Sequence, residues 1–310
     1  MRKTAKTPNK SLLDRYKQHL LFEKSLSPRT LEAYLSDLGK LLSYFADEEK
    51  DPLNATLDDL EHFSATLSDV GISPTSQARI LSGVRSFYRF LLTEEYIDAD
   101  PTELLESPKK GEKLPEVLSV EEVDTLIDAI DLTSSEGQRN RAMLETLYSC
   151  GLRVSELCGL RISNLYLKEG FIRVEGKGSK QRLVPISRSA IDEIELYMPQ
   201  RMQIDMKPGY EDHLFASTHR RTNLSRIMVF HIVKELADKA GITKVISPHT
   251  FRHTFATHLL ENGANLRVIQ SMLGHEDIGT TEIYTHIDSR KLKREIIEHH
   301  PRNIRMKNEK

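Results

Sequence analysis

The chain has 310 residues, with 38% hydrophobic and 29% charged residues and a formal net charge of −2, the balance of a soluble globular protein with room for two domains. No apolar run approaches the length of a membrane span, and the basic start Met1-Arg2-Lys3 leads into no apolar signal region, so a cytoplasmic protein is expected. The two cysteines, Cys150 and Cys158, suit a reduced interior rather than a disulfide framework.

Residues 1 to 10 read as disordered. From Ser11 a helix carries Leu12, Leu13, Tyr16 and Leu20. Ser27 and Pro28 open a second, with Leu31, Tyr34, Leu35, Leu38, Leu41 and Leu42 at helical spacing, closed by Asp51-Pro52. A short third helix covers about Leu57 to Leu67. After the break Gly71-Ile72-Ser73-Pro74 a fourth carries Ile80, Leu81, Val84, Phe87, Leu91 and Leu92. Arg79, Arg85 and Arg89 lie on its less apolar side, as a solvated face or as DNA contacts. This makes an all-α four-helix unit over 1–106. The Pro- and Lys-rich stretch 107–115 reads as a linker, and a second domain is expected over 116–310.

That domain opens with a capping box, Ser119 with Glu122, and a helix to about Ile130. A helix from Gln138 to Tyr148 follows, then Gly151 and another helix start at Arg153, with Glu156 three residues on. Taken alone, Arg153 and Glu156 are a helix-start ion pair, worth about 0–1 kcal/mol on a surface. Two strand-like runs, 171–175 and 181–186, flank the turn Gly176-Lys177-Gly178-Ser179-Lys180, which supplies glycine where positive φ is needed. This turn lacks the remainder of a P-loop. A helix is expected over 187–207, with Met198, Met202 and Met206 as core or crevice filling. A loop at 215–221 precedes a helix from about Leu224 to Ala240, where Arg226 is a candidate DNA contact. Basic residues gather at Lys177, Lys180 and Arg182, at Arg220, Arg221 and Arg226, and at Lys291, Lys293 and Arg294, while acidic ones gather over 121–131. A basic inner surface with an acidic back would give the near-neutral sum, so charge leaves nucleic-acid binding open.

The most informative stretch lies near the C-terminal end. Ser247 and Pro248 open a helix bearing His249 and Arg252 on one face. Gly263 breaks it, and a second helix through Leu266, Ile269 and Leu273 ends at Gly274, just before His275. Tyr284 follows. Arg is a cation whose planar fork matches phosphate oxygens, imidazoles donate hydrogen bonds or move protons, and a phenol can act as nucleophile. Together they point to metal-free phosphoryl transfer through a phosphotyrosine. His249 and His253 have the spacing of a helical zinc pair, but Thr250-Phe251-Arg252 lies between them where a metalloprotease needs Glu. His253 and His258 are expected to be structural.

The series Ser247-Pro248-His249-Thr250-Phe251-Arg252, Leu273-Gly274-His275 and Tyr284-Thr285-His286 resembles the C-terminal signature of tyrosine site-specific recombinases, in wording the Xer type. The resemblance covers nearly all of the chain beyond residue 10, with Gly279 where Ser is more usual. It implies a mainly α protein: a four-helix, SAM-like core-binding domain joined to an α+β catalytic domain with a small antiparallel sheet. It further implies Arg153, Lys177, His249, Arg252, His275 and Tyr284 as catalytic residues, with Glu156 as the acid that holds Arg153 still. Lys177, with Lys180 as the neighbour open to confusion with it, would enter the minor groove and protonate the leaving oxygen. Lys180, Arg182 and Arg226 join Arg79, Arg85 and Arg89 as candidate DNA contacts. No cofactor and no metal are implied.

The implied partners are double-stranded DNA carrying a dif-like site, a homo- or hetero-tetramer with a second Xer-type recombinase, and the FtsK translocase. The implied role is chromosome-dimer resolution before cell division. An integrase or invertase of a mobile element, or a non-catalytic architectural DNA-binding protein, are the alternatives. Residues 289–298 form an amphipathic tail helix whose Leu292, Ile296 and Ile297 dock either on their own domain or, as the resemblance implies, on a neighbouring subunit.

Overall fold

Local capping sets the frame of the N-terminal unit. The computed structural model describes residues 10–24, 26–108, 116–176, 180–274 and 289–308, and it divides into two units, Met1–Lys113 and Leu114–Lys310. In the first, α1 (Lys10–Gln18) runs into a π-helical turn, His19–Glu23, and is followed by α2 (Pro28–Asp47), α3 (Leu57–Asp69) and α4 (Pro74–Thr93). The Ser27 hydroxyl accepts from the Thr30 amide at 3.3 Å, and Thr56 with Asp59 forms a full capping box. These bonds satisfy amides that have no partner inside a helix. Tyr16, Leu38, Leu41, Phe45, Leu60, Phe63, Val84 and Phe87 then fill one core, with the Tyr16 and Phe87 rings edge to face at 5.2 Å. Asp37, fully buried, is neutralised by Lys40 at 3.1 Å and by Arg79 reaching across from α4.

The second unit is built around α6 (Gly137–Cys150), a helix buried almost all round. α5 (Val120–Asp128), α7 (Val154–Cys158), α8 (Arg188–Met202), α9 (Arg226–Lys239) and α10 (Pro248–Glu261) surround it. A three-stranded antiparallel sheet, β1 (Leu165–Tyr166), β2 (Phe171–Glu175) and β3 (Gln181–Pro185), closes one side. Its register pairs Ile172 with Val184 and Val174 with Arg182. A second hairpin joins β4 (Ala216–Ser217) to β5 (Thr222–Asn223). Gly151 ends α6 with φ 56°, and a Cβ there would lie 2.4 Å from the Phe255 ring, so only glycine lets α6 and α10 come this close.

The C-terminal elements pack on this same unit. α11 (Leu266–Leu273) is capped by Asn265, whose side chain accepts from the Arg267 and Val268 amides. α12 (Ser289–His299) buries Leu292 and Ile296 with Phe171, Phe255, Leu259, Val268, Ile269, Met272 and Leu273. Within the single chain the apolar side of the tail docks on its own domain, where α10 and α11 supply an apolar groove for it. Ile297 stays 38% exposed. α13 (Pro301–Asn308) carries Arg302, which pairs with Asp124 and Glu145 and covers the Tyr148 ring at 5.3 Å. His300 is wholly buried beneath it and sits 3.2 Å from the Tyr148 carbonyl.

Other expectations need correction. α1 already begins at Lys10. α8 ends at Met202 rather than 207, because buried Arg201 donates to the Glu211 and His213 carbonyls and turns the chain. Met206 is buried, but Met202 is 68% exposed and fills no crevice. Among the described residues, no helix is long and apolar enough to cross a membrane.

Candidate active site

The site begins at the start of α7. The left-handed turn at Gly151 redirects the chain, so Arg153 takes the position just before the helix and Glu156 its third residue. Glu156 accepts from the Arg153 amide at 2.9 Å and from the Arg153 guanidinium at 3.0 Å. It also receives both arms of Arg182 from β3, at 2.8 and 2.9 Å. Such a two-pronged pair fixes orientation as well as charge. Burial works to raise the pKa of Glu156, but the bonds and charge of Arg182, then those of Arg153, outweigh it and hold the carboxyl below the usual range. The pair is therefore no surface ion pair: the Glu156 side chain is 2% exposed and that of Arg153 38%.

Arg252 enters from the second turn of α10, where Pro248 at the first helical position and the Thr250 hydroxyl, accepting from the Ser247 amide at 3.0 Å, set the helix start. Its guanidinium is buried and donates to the carbonyls of Gly151, at 2.8 Å, and of Leu273. Burial and then the charge of Arg153 pull its pKa down to about 10, which leaves it a cation at neutral pH. His249, one turn earlier on α10, is exposed.

The C-terminal end of α11 joins these groups. Three consecutive carbonyls there each receive a different arginine: Met272 from Arg182 at 2.8 Å, Leu273 from Arg252, and Gly274 from Arg153 at 3.1 Å. Carbonyls in the last turn lack partners within the helix and carry the negative end of its dipole. The arginines of α7, β3 and α10 therefore meet at one point, immediately before His275.

Lys177, His275 and Tyr284 lie outside the described residues, as does Gly279. Their flanks do not: Gly176 closes the β2–β3 hairpin by donating to the Lys180 carbonyl at 2.8 Å. Of the candidate DNA contacts, Arg79 is paired with Asp37, and Arg85 donates to the Leu105 carbonyl and to the Ser107 hydroxyl at 3.1 Å. Arg89, Lys180 and Arg226 are exposed, Arg226 as the first residue of α9. Arg182, expected as a DNA contact, points inward with 10% of its side chain exposed. Its register with Val174, on the face that also buries Val184, is the alternation signal that could have revealed this. Also unanticipated is Thr254, whose hydroxyl accepts from the Leu118 amide at 3.1 Å and so anchors the start of the unit to α10. His258 is buried with Nδ1 2.8 Å from the Tyr148 hydroxyl, a structural histidine, whereas His253 is exposed. Among the described residues, no three His, Cys, Asp or Glu side chains gather as a metal site.

The phage integrase family model matches residues 116–291, and the phage integrase N-terminal SAM-like domain matches residues 13–95. The chain is 44% identical over 298 residues to a protein named tyrosine recombinase XerD from Chlorobaculum tepidum, covering 95% of this chain and 98% of that one. It is 45% identical over 288 residues to the protein of that name from Oceanobacillus iheyensis, covering 91% and 96%. Among solved structures, the XerH site-specific recombinase bound to palindromic difH, a post-cleavage complex, matches with TM-score 0.71 at 21% identity over 95% of this chain and 90% of that one. A lambda integrase dimer on a core site matches with TM-score 0.68 at 22% identity over 86% and 94%.

Proposed function

Because the chain belongs to the phage integrase family, as a tyrosine recombinase of the Xer type, we propose that it cuts and rejoins paired dif-like DNA sites through a 3′-phosphotyrosyl intermediate, in the cytoplasm, to resolve chromosome dimers before division. The observation that carries this reading is the convergence of Arg153 and Arg252 on the end of α11, next to His275.

In this reading the two guanidinium groups hold the non-bridging oxygens of the scissile phosphate and stabilise the charge gained in the transition state. The Tyr284 oxygen forms a bond to phosphorus while the bond to the 5′ oxygen breaks. An unperturbed phenol has a pKa of about 10, so attack needs a base, and in this reading His249, exposed on α10, takes the proton. Lys177 gives a proton to the departing 5′ oxygen, and His275 donates to the phosphate. The ester bond is conserved in the phosphotyrosine, so rejoining by the reverse steps needs no nucleotide cofactor. Exchange between two duplexes calls for four subunits, identical or shared with a second Xer-type recombinase, with the FtsK translocase as a candidate activator.

The test is a nicked suicide substrate carrying a dif-like site. Wild-type protein is expected to form an SDS-resistant adduct, and Tyr284→Phe to bind the site equally and form none. An adduct with the Phe variant would move the nucleophile elsewhere.

A further inference from the structure

The inward turn of Arg182 gives it a different part to play. Within the recombinase reading, we infer that Arg182 is a positioning residue: it clamps Glu156 and the end of α11, and so holds Arg153 and the backbone at Gly176 and Gly274 without touching DNA.

Three sets of observations carry this. The first is the fork itself. Arg182 spans both oxygens of Glu156 and, with Nε, the Met272 carbonyl at 2.8 Å. One planar group thereby joins β3, α7 and α11. A lysine in the same place is a point donor and cannot bridge three acceptors in one plane. The second is adjacency. A Cβ on Gly274, the residue before His275, would lie 3.4 Å from the Arg182 guanidinium. A Cβ on Gly176, the residue before Lys177, would lie 3.7 Å from Arg182 and 3.8 Å from Glu156. The backbone that leads into two proposed catalytic residues therefore rests on this one pair.

The third is charge. Arg153, Arg182 and Arg252 crowd together, and their mutual repulsion is offset by Glu156 and by the three carbonyls of α11. The charged groups facing Glu156 are Arg153 just before α7, Arg182 on β3 and Arg252 on α10. With Arg182 gone, Glu156 keeps its burial but loses its principal counter-charge. It then takes a proton at higher pH and loosens its hold on Arg153.

The experiment compares Arg182→Gln, Arg182→Lys, Glu156→Gln and the double Gln variant with wild type. It reads single-site DNA affinity, adduct formation against pH on the suicide substrate, and hydrogen exchange of the backbone at 176–180 and 272–276. Arg182→Gln is expected to bind DNA as wild type, to cleave about 100-fold more slowly, as for small misplacements of catalytic groups, and to show an acid limb moved to higher pH. Exchange should accelerate in both segments. Arg182→Lys should not restore cleavage, and adding Glu156→Gln should abolish the pH shift. Weaker DNA binding with a shallower salt slope would make Arg182 a phosphate contact and overturn the clamp. A loss equal at every pH, with unchanged exchange in the two segments, would overturn it too. Hydrogen exchange does not depend on cleavage: accelerated exchange in a chain whose wild type forms no adduct would support the clamp and sink the recombinase reading of the site.

Discussion

Glu156 and Gly151 show how much single residues hold here. Glu156 is buried between two arginines, so Glu156→Ala leaves guanidinium charge uncompensated in the interior, a change that costs about 3–5 kcal/mol in comparable buried pairs. Chemical denaturation should show that loss, and Glu156→Gln should show a smaller one, since the amide can keep part of the bonding. The sign of the pH effect follows from its depressed pKa: the stability Glu156 contributes is complete above the ordinary glutamate range and is lost as pH falls through its lower folded-state value. At Gly151, alanine would meet both a positive φ and the Phe255 ring. Overpacking alone costs about 1–3 kcal/mol, and a thermal melt of Gly151→Ala should show at least that. Arg252 could be singled out because it shares a helix face with His249, three residues away, whereas Arg153, which alone reads as half of a helix-start ion pair, was singled out by the family resemblance. The inward turn of Arg182 was hidden among neighbouring basic residues, since its partners Glu156 and Met272 are remote in sequence.

At the scale of elements, legibility followed the range of the forces. α2 and α5 could be read because Ser27 and Ser119 cap them from within a turn. β1, β4 and β5 have two residues each, too few to show a period. α13 carries mostly polar residues and is held by Arg302 to Asp124 and Glu145, contacts made far across the chain. That anchor has a pH signature. Burial, against a bond to the Tyr148 carbonyl and alongside the charges of Arg302 and His258, pushes the His300 pKa down to about 3, and burial also lowers that of His258. His300 is neutral in the fold and takes a proton once unfolded, and burial biases His258 the same way. Stability should therefore be full above the ordinary histidine range and fall below it, by about 1.4 kcal/mol per pH unit from His300. Melts from pH 7.5 to 5 should show this slope, and His300→Phe should reduce it.

For the whole molecule, charge placement outweighs charge sum. The net charge is −2, yet Arg89, Lys180 and Arg226 are exposed. Affinity for a dif-like duplex should fall steeply with salt, with a slope of log affinity on log salt of about −0.9 per phosphate neutralised. A flat titration would exclude phosphate contacts by these residues.

The docked tail sets a limit on reach. The segment 275–288, which carries Tyr284, leaves from Gly274 and returns at Ser289, and α11 and α12 at its two ends pack into one apolar cluster of one unit. Tyr284 stands five residues before Ser289, and five extended residues span at most about 18 Å. In the recombinase reading Tyr284 is thus tethered within about 18 Å of the unit on which α12 packs, and attack on a phosphate held by the same chain's arginines is expected. A mixture of Tyr284→Phe with Arg153→Ala/Arg252→Ala should accordingly form no adduct, because neither chain can lend the other what it lacks. Restored cleavage in the mixture would mean that the tether is unfastened on DNA and the tyrosine shared between subunits.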